Sequence, residues 1–201
     1  MRAHALIARM ARFDERRVVN LGFPYLTLLL SGGHSLICLV RSARDFSVIG
    51  HNVGWATAGN TLDRCVKYLD LYVKDLGGDS KCGGQIAESL ARSFYRKSND
   101  NRIAERFVFN AKDRHSSQLT CNFDFFAFYK WFTQLDLKSY NSSGVGGEDS
   151  IGEAFAGLQQ SLMQYVWRKL LRAIYYCVEV LKLSDFKNIV IASLNLSISG
   201  M

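Results

Sequence analysis

The chain has 201 residues, is 48% hydrophobic and carries a formal net charge of +7. That length fits one domain or two small ones, and thirteen Phe, nine Tyr and three Trp exclude a mainly disordered chain. The longest apolar run, Tyr25 to Leu30, is far short of a spanning helix, so no membrane association is expected, and the basic balance fits either a polyanion-binding protein or a basic enzyme that binds neither nucleic acid nor anionic lipid.

The first thirteen residues are rich in Arg and Ala and contain no acid. They fit a short mitochondrial transit peptide, and equally the last turns of a helix that starts further upstream. Tyr25 to Leu30 is an apolar run suited to a strand buried on both faces. Ser31-Gly32-Gly33-His34 interrupts it and Ser35 to Val40 resumes it, which predicts a hairpin. Phe46 to Val53 is expected to add a third strand, completing a meander.

Thr61 to Leu71 has helical apolar spacing, with Asp63 near its expected start. Leu76 to Gly84 is expected to be loop. Gln85 to Arg96 predicts a second helix with Ile86, Leu90 and Phe94 on one stripe. Arg106 to Asn110 predicts a short strand, and Ser139 to Asp149 a polar, glycine-rich loop. Ile151 to Leu181 carries the strongest helical stripe, stepping through Phe155, Leu158, Leu162, Val166, Leu170, Ile174 and Cys177. Ser150-Ile-Gly-Glu153 has the form of a capping box before it. Ile189 to Ala192 predicts a buried parallel strand. The five cysteines form no Cys-x-x-Cys pair, which predicts reduced thiols in an intracellular compartment and no zinc knuckle.

Several residues carry two readings. Ser31-Gly32-Gly33-His34 is either an ordinary hairpin turn or one whose glycines admit a phosphate to the backbone, with N–H groups and the Ser31 hydroxyl as donors. Gly83-Gly84 is a loop or another close approach of backbone to ligand. Asp63 is a helix-start carboxylate or an acceptor for a ribose hydroxyl. His4 is a partly buried structural histidine or a ligand. The basic stretch from Arg92 to Arg114, with Phe94, Tyr95 and Phe107, is a solvated helix face or a surface that holds a tRNA backbone and a stacked base.

Read together and in order, these segments resemble the tRNA threonylcarbamoyltransferase family. Met1-Arg-Ala-His-Ala-Leu is similar to its His-Met-x-x-His-x-Leu helix without the first residue. Phe23-Pro-Tyr-Leu-Thr-Leu-Leu-Leu-Ser-Gly-Gly-His-Ser, Gly59-Asn-Thr-Leu-Asp63-Arg, Cys82-Gly-Gly-Gln-Ile-Ala-Glu-Ser-Leu-Ala and Arg106-Phe-Val-Phe resemble further family segments. Cys121-Asn-Phe-Asp-Phe is a looser match, and Ile189-Val-Ile-Ala-Ser resembles a strand near the family's Gly-Gly-Val-Ala-x-Asn. The segment Tyr72 to Lys81 looks more like the mitochondrial branch than the bacterial one.

The resemblance implies an α/β, actin-like and Hsp70-like ATPase fold built of RNase-H-like lobes. Residues 1–20 would end a first lobe, 21–193 would form an incomplete second lobe, and 194–201 a divergent tail. It implies transfer of threonylcarbamoyl from threonylcarbamoyl-adenylate to N6 of adenosine 37 in tRNAs that read ANN codons. Leu29, Leu30, Ser31, Gly32 and Gly33 would contact the adenylate, Asp63 its ribose, and Gly84 would complete the cradle. His4 would be one ligand of a divalent metal, iron or zinc, whose other family ligands find no match in this sequence. Little catalysis is therefore expected of this chain alone. The alternatives are a non-enzymatic binding lobe that forms a homodimer through the stripe at 151–181, and another actin-like ATP-binding protein.

Overall fold

The computed structural model describes residues 22–69, 82–97, 102–111, 120–137, 147–183 and 188–193. The expected lobe end at 1–20 and tail at 194–201, with His4, lie outside them.

Strands β1 (Tyr25–Leu30), β2 (Ser35–Val40) and β3 (Phe46–His51) form the expected antiparallel meander. A fourth strand, β4 (Asn188–Ser193), pairs parallel to β1, so the sheet order is β3-β2-β1-β4. Every residue of β1 and β2 is buried, as their continuous apolar runs require. Leu26, Leu28, Leu30, Ile37 and Leu39 join the main core, whereas Leu29, Leu36 and Cys38 form a separate small cluster. In β4 the parallel pairing is as expected but the burial is not. Val190 is buried against Tyr25 and Val40, while Ile189 and Ile191 are exposed, because β4 is the outermost described strand.

Helices α1 (Ala58–Tyr68), α2 (Gly83–Lys97) and, later in the chain, α4 (Gly147–Tyr175) follow the expected apolar spacing with boundaries that shift, and α3 (Phe126–Gln134) is a helix not among the expected elements. Leu62, Cys65 and Val66 are buried on α1, with Leu69 at its C-cap, and Ile86, Ala87 and Ala91 on α2. α4 starts inside the segment expected to be loop, so Ser150 is a helical residue and not a cap. Glu153 instead accepts a hydrogen bond from the Ala104 amide at 2.7 Å. Ile151, Phe155, Leu158, Leu162, Val166, Leu170 and Cys177 are buried and Ile174 is half-buried, so most of the stripe on which the homodimer alternative relied lies in the core, while Leu181 at its end is exposed. α4 ends in a widened π turn at Tyr176–Val180. Among the described residues, no helix is long and apolar enough to cross a membrane.

The strand expected at Arg106 to Asn110 is a single 3-10 turn, Glu105–Phe107. Its neighbours are side chains of α4 and not another strand. Ser161 Oγ accepts from the Phe109 amide at 2.9 Å, and Arg168 donates to Asn110 and to the Ala111 carbonyl. With those groups satisfied by α4, no sheet ladder is needed.

Candidate functional site

Three of the singled-out segments meet at one place. The β1–β2 turn stands at the exposed end of the meander, with Gly32, Gly33 and His34 exposed. Thr57, the N-cap of α1, ties that turn to the helix. Its hydroxyl donates to the Gly32 carbonyl at 2.7 Å and accepts from the Asn60 amide at 3.3 Å. Ser35 Oγ accepts from the Ala58 amide at 3.2 Å. Gly59, in the first turn of α1, lies flat on the hairpin. A Cβ there would stand 2.8 Å from the Gly32 Cα and 2.9 Å from its nitrogen.

Asp63 lies in the second turn of α1, not at its start, and its partner is the next helix. Its Oδ1 accepts from the Gly84 amide at 3.0 Å, so it neutralises the positive end of the α2 dipole. Gly83 and Gly84 are the first two residues of α2 and not a loop. Gly83 packs directly on Asp63, where a Cβ would stand 2.6 Å from the Asp63 Cα. Cys82 precedes them as a cap: its carbonyl accepts from the Gln85 and Ile86 amides, and its own amide donates to Gln85 Oε1.

Ser31 is engaged within its own turn. Its Oγ accepts from the Gly33 amide at 3.2 Å and the His34 amide at 2.9 Å, and donates to the His34 carbonyl. A phosphate oxygen entering here would replace Ser31 Oγ as the acceptor for those two amides, an exchange of oxygen for oxygen. Leu29 and Leu30 are buried strand residues, and the end of β1 sets the turn's position. The glycines at 32 and 33 are not explained by the fold. Neither has a left-handed φ, and a Cβ on either would meet nothing within 4 Å. What glycine provides at both positions is open space above an exposed turn. Gly32→Val is therefore expected to change stability by no more than about 0.5 kcal/mol, as read by thermal unfolding, while weakening any ligand that approaches the turn.

Thr57 and Gly59 are the residues that carried no site reading in the sequence, and Gly83, read there as a loop or a close approach to a ligand, packs on Asp63 instead. A Thr just before an apolar-periodic segment is a cap signal that points to Thr57. Nothing local marks Gly59 as a contact point, whereas the Gly83-Gly84 pair is itself a signal of close backbone approach.

No three His, Cys, Asp or Glu side chains among the described residues come together as a metal site. Four cysteines are buried and Cys82 is exposed, all of them as free thiols. Burial pushes the thiols of Cys38 and Cys177 up to about 11 and raises those of Cys65 and Cys121. In the described part of the basic stretch from Arg92 onward, several of the aromatic and cationic groups are engaged within the fold. Phe107 is buried beneath the Arg106 guanidinium, Arg92 pairs with Glu88, and Lys97 pairs with Asp149. Tyr95 alone of its aromatic residues is exposed.

No family model matches the chain. A mitochondrial tRNA N6-adenosine threonylcarbamoyltransferase of Danio rerio is 30% identical over 180 residues, which cover 88% of this chain and 40% of that protein. The protein of the same name from Rattus norvegicus is 28% identical over 196 residues, covering 96% of this chain and 43% of its own length. A tRNA N6-adenosine threonylcarbamoyltransferase of Porphyromonas gingivalis is 42% identical over 91 residues, covering 45% of this chain and 24% of its own. These relatives bear out the resemblance read from the sequence, and the chain spans about 40% of the length of the curated relatives it matches most fully.

Proposed function

We propose that this chain is the adenylate-holding part of a mitochondrial transferase that moves threonylcarbamoyl from its adenylate to N6 of adenosine 37 in ANN-decoding tRNAs. The observation that carries this reading is the junction of the Ser31–His34 turn, α1 and α2. Two glycine contacts and the Asp63–Gly84 hydrogen bond hold it together. We assign the chain to the second, RNase-H-like lobe of an actin-like fold; a meander extended by a parallel strand supports that assignment.

In the reaction the exocyclic amine of adenine attacks the carbamoyl carbon of the adenylate. The bond from that carbon to the phosphate oxygen breaks, AMP leaves with the electron pair, and the amine loses a proton. The chain's part is to bind and orient. The amides of Gly33 and His34 take the phosphate, the space above Gly32 and Gly33 admits it, and Asp63 takes a ribose hydroxyl with the oxygen not used by Gly84. A divalent metal, iron or zinc, enters the proposal only through His4. The described residues offer it no ligand set, and none of the steps above depends on it.

Cys82 provides the test, since it caps α2 beside Gly84. Alkylation of the native chain at neutral pH, followed by intact mass and peptide mapping, is expected to modify Cys82 rapidly and the four buried thiols only on unfolding. A non-hydrolysable threonylcarbamoyl-adenylate analogue should slow that modification severalfold in the parent and not in Gly32→Val. Unchanged Cys82 reactivity at saturating analogue would sink the proposed site. Protection by ATP but not by the threonylcarbamoyl-adenylate analogue would favour the actin-like ATP-binding alternative.

A further inference from the structure

α1 carries a second functional face. Gly59 and Asp63, one turn apart, face the hairpin and α2. Asn60 and Arg64, the adjacent row, face Trp55 instead. Asn60 Oδ1 accepts from Arg64 Nε at 2.9 Å and fixes its guanidinium 3.7 Å from the centre of the Trp55 ring. Phe126, the first residue of α3, meets the same indole edge-on at 5.4 Å and has Tyr129 beside it. Trp55 is 51% exposed and Phe126 43%, although their neighbours Ala56 and Phe125 are fully in the core. The fold thus leaves two large, touching aromatic rings half exposed, a surface that tends to be buried.

We propose that Trp55, Arg64 and Phe126 form a stacking platform for unpaired nucleotides of the RNA substrate. The partner is argued from charge. Exposed Lys67 lies one turn beyond Arg64 on α1, and exposed Lys130 one turn beyond Phe126 on α3. The nearby acids are turned to other work: Asp63 accepts from Gly84 and Asp124 from the Phe126 amide. Aromatic faces interleaved with cations are the recognition surface of single-stranded nucleic acid, in which bases stack and phosphates meet the cations. Stacking needs an unpaired base, so the fitting occupant is a loop and not a duplex. Sharing α1, the platform would deliver such a loop beside the hairpin junction. This inference rests on the proposed function for the identity of the RNA.

The test uses the full 201-residue chain and a labelled anticodon stem-loop RNA, with a fully paired RNA of the same length for comparison, read by fluorescence anisotropy. The stem-loop should bind more tightly than the duplex. Trp55→Ala and Phe126→Ala should each weaken the stem-loop about tenfold, and Trp55→Phe should recover most of the loss. Arg64→Ala should weaken binding and also flatten its salt dependence, which the aromatic variants leave unchanged. Circular dichroism accompanies each variant, and Phe126 on α3 and Trp55 in the β3–α1 connection give independent readings. Equal binding of loop and duplex, unchanged affinity in both aromatic variants, or no RNA binding by the folded chain would each overturn the platform. Cys82 protection by the adenylate analogue is read in parallel. Protection without stacking removes the platform and leaves the proposed function; stacking without protection does the reverse.

Discussion

Phe125→Ala is expected to lower the unfolding free energy by about 3–5 kcal/mol. Phe125 is completely buried where three elements converge. Its ring stacks on Phe123 at 5.3 Å and meets Phe128 and Tyr165 at 6.4 and 5.9 Å, and Tyr165 belongs to α4. Truncation leaves a cavity lined by aromatic rings, which close-packed neighbours refill only in part. Stability of a domain this size is commonly 5–15 kcal/mol, so the loss takes a large share of it. Phe126→Ala, one residue on, should cost much less, about 1 kcal/mol, because Phe126 is 43% exposed and lies outside the core. Urea unfolding of the two variants checks the contrast: a large loss in Phe126→Ala, or a small one in Phe125→Ala, would contradict the packing described.

Gly83→Ala is expected to damage the candidate site from within. Its Cβ would stand 2.6 Å from both the Asp63 Cα and Oδ1, and backbone cannot yield as a flexible side chain does. α2 must move away from α1, which stretches the Asp63–Gly84 hydrogen bond and widens the junction under the hairpin turn. The expected cost is about 1–3 kcal/mol in stability. Binding of the adenylate analogue should fall at least tenfold, or by about 1.4 kcal/mol. Gly84→Ala is the control, since a Cβ there meets only the Cys82 sulfur at 3.9 Å. It should fold with near-parental stability. Titration calorimetry with unfolding curves on both variants decides the matter, and equal behaviour of the two would show that the close contact at Gly83 is unimportant.

Adjacent residues with opposite fates show where local reasoning stops. Phe125 and Phe126 have the same chemistry, and no local pattern says which one enters the core. Asp63 has the look of a helix-start carboxylate until the next helix places Gly84 against it. The segment Arg106 to Asn110 has strand composition, yet α4 supplies Ser161 to the Phe109 amide and Arg168 to the Asn110 side chain and the Ala111 carbonyl, and it becomes a turn. The basic stretch after Arg92 combined cations with aromatics in sequence, whereas folding buries Phe107 and pairs Arg92 and Lys97. The exposed combination arises instead from Trp55, Arg64 and Phe126, which are remote from one another along the chain.

What the sequence by itself determined is the set of elements that local physics controls. Two apolar runs around Ser31-Gly32-Gly33-His34 specify the hairpin, and 3.6-residue periodicity specifies α1, α2 and the core face of α4. The order of its motifs was also enough to identify the relatives it resembles. Only the tertiary structure decided that β1 is the strand with which the parallel β4 pairs, that Gly59 packs on Gly32 and Gly83 on Asp63, and that Asp63 serves α2. It also decided that an Arg–Trp–Phe cluster faces water beside the hairpin junction. The physical reason is the same in each case. Hairpins and helices are built from contacts a few residues apart, which leave a period in the sequence. Contacts between distant segments depend on how whole elements pack, and they leave none.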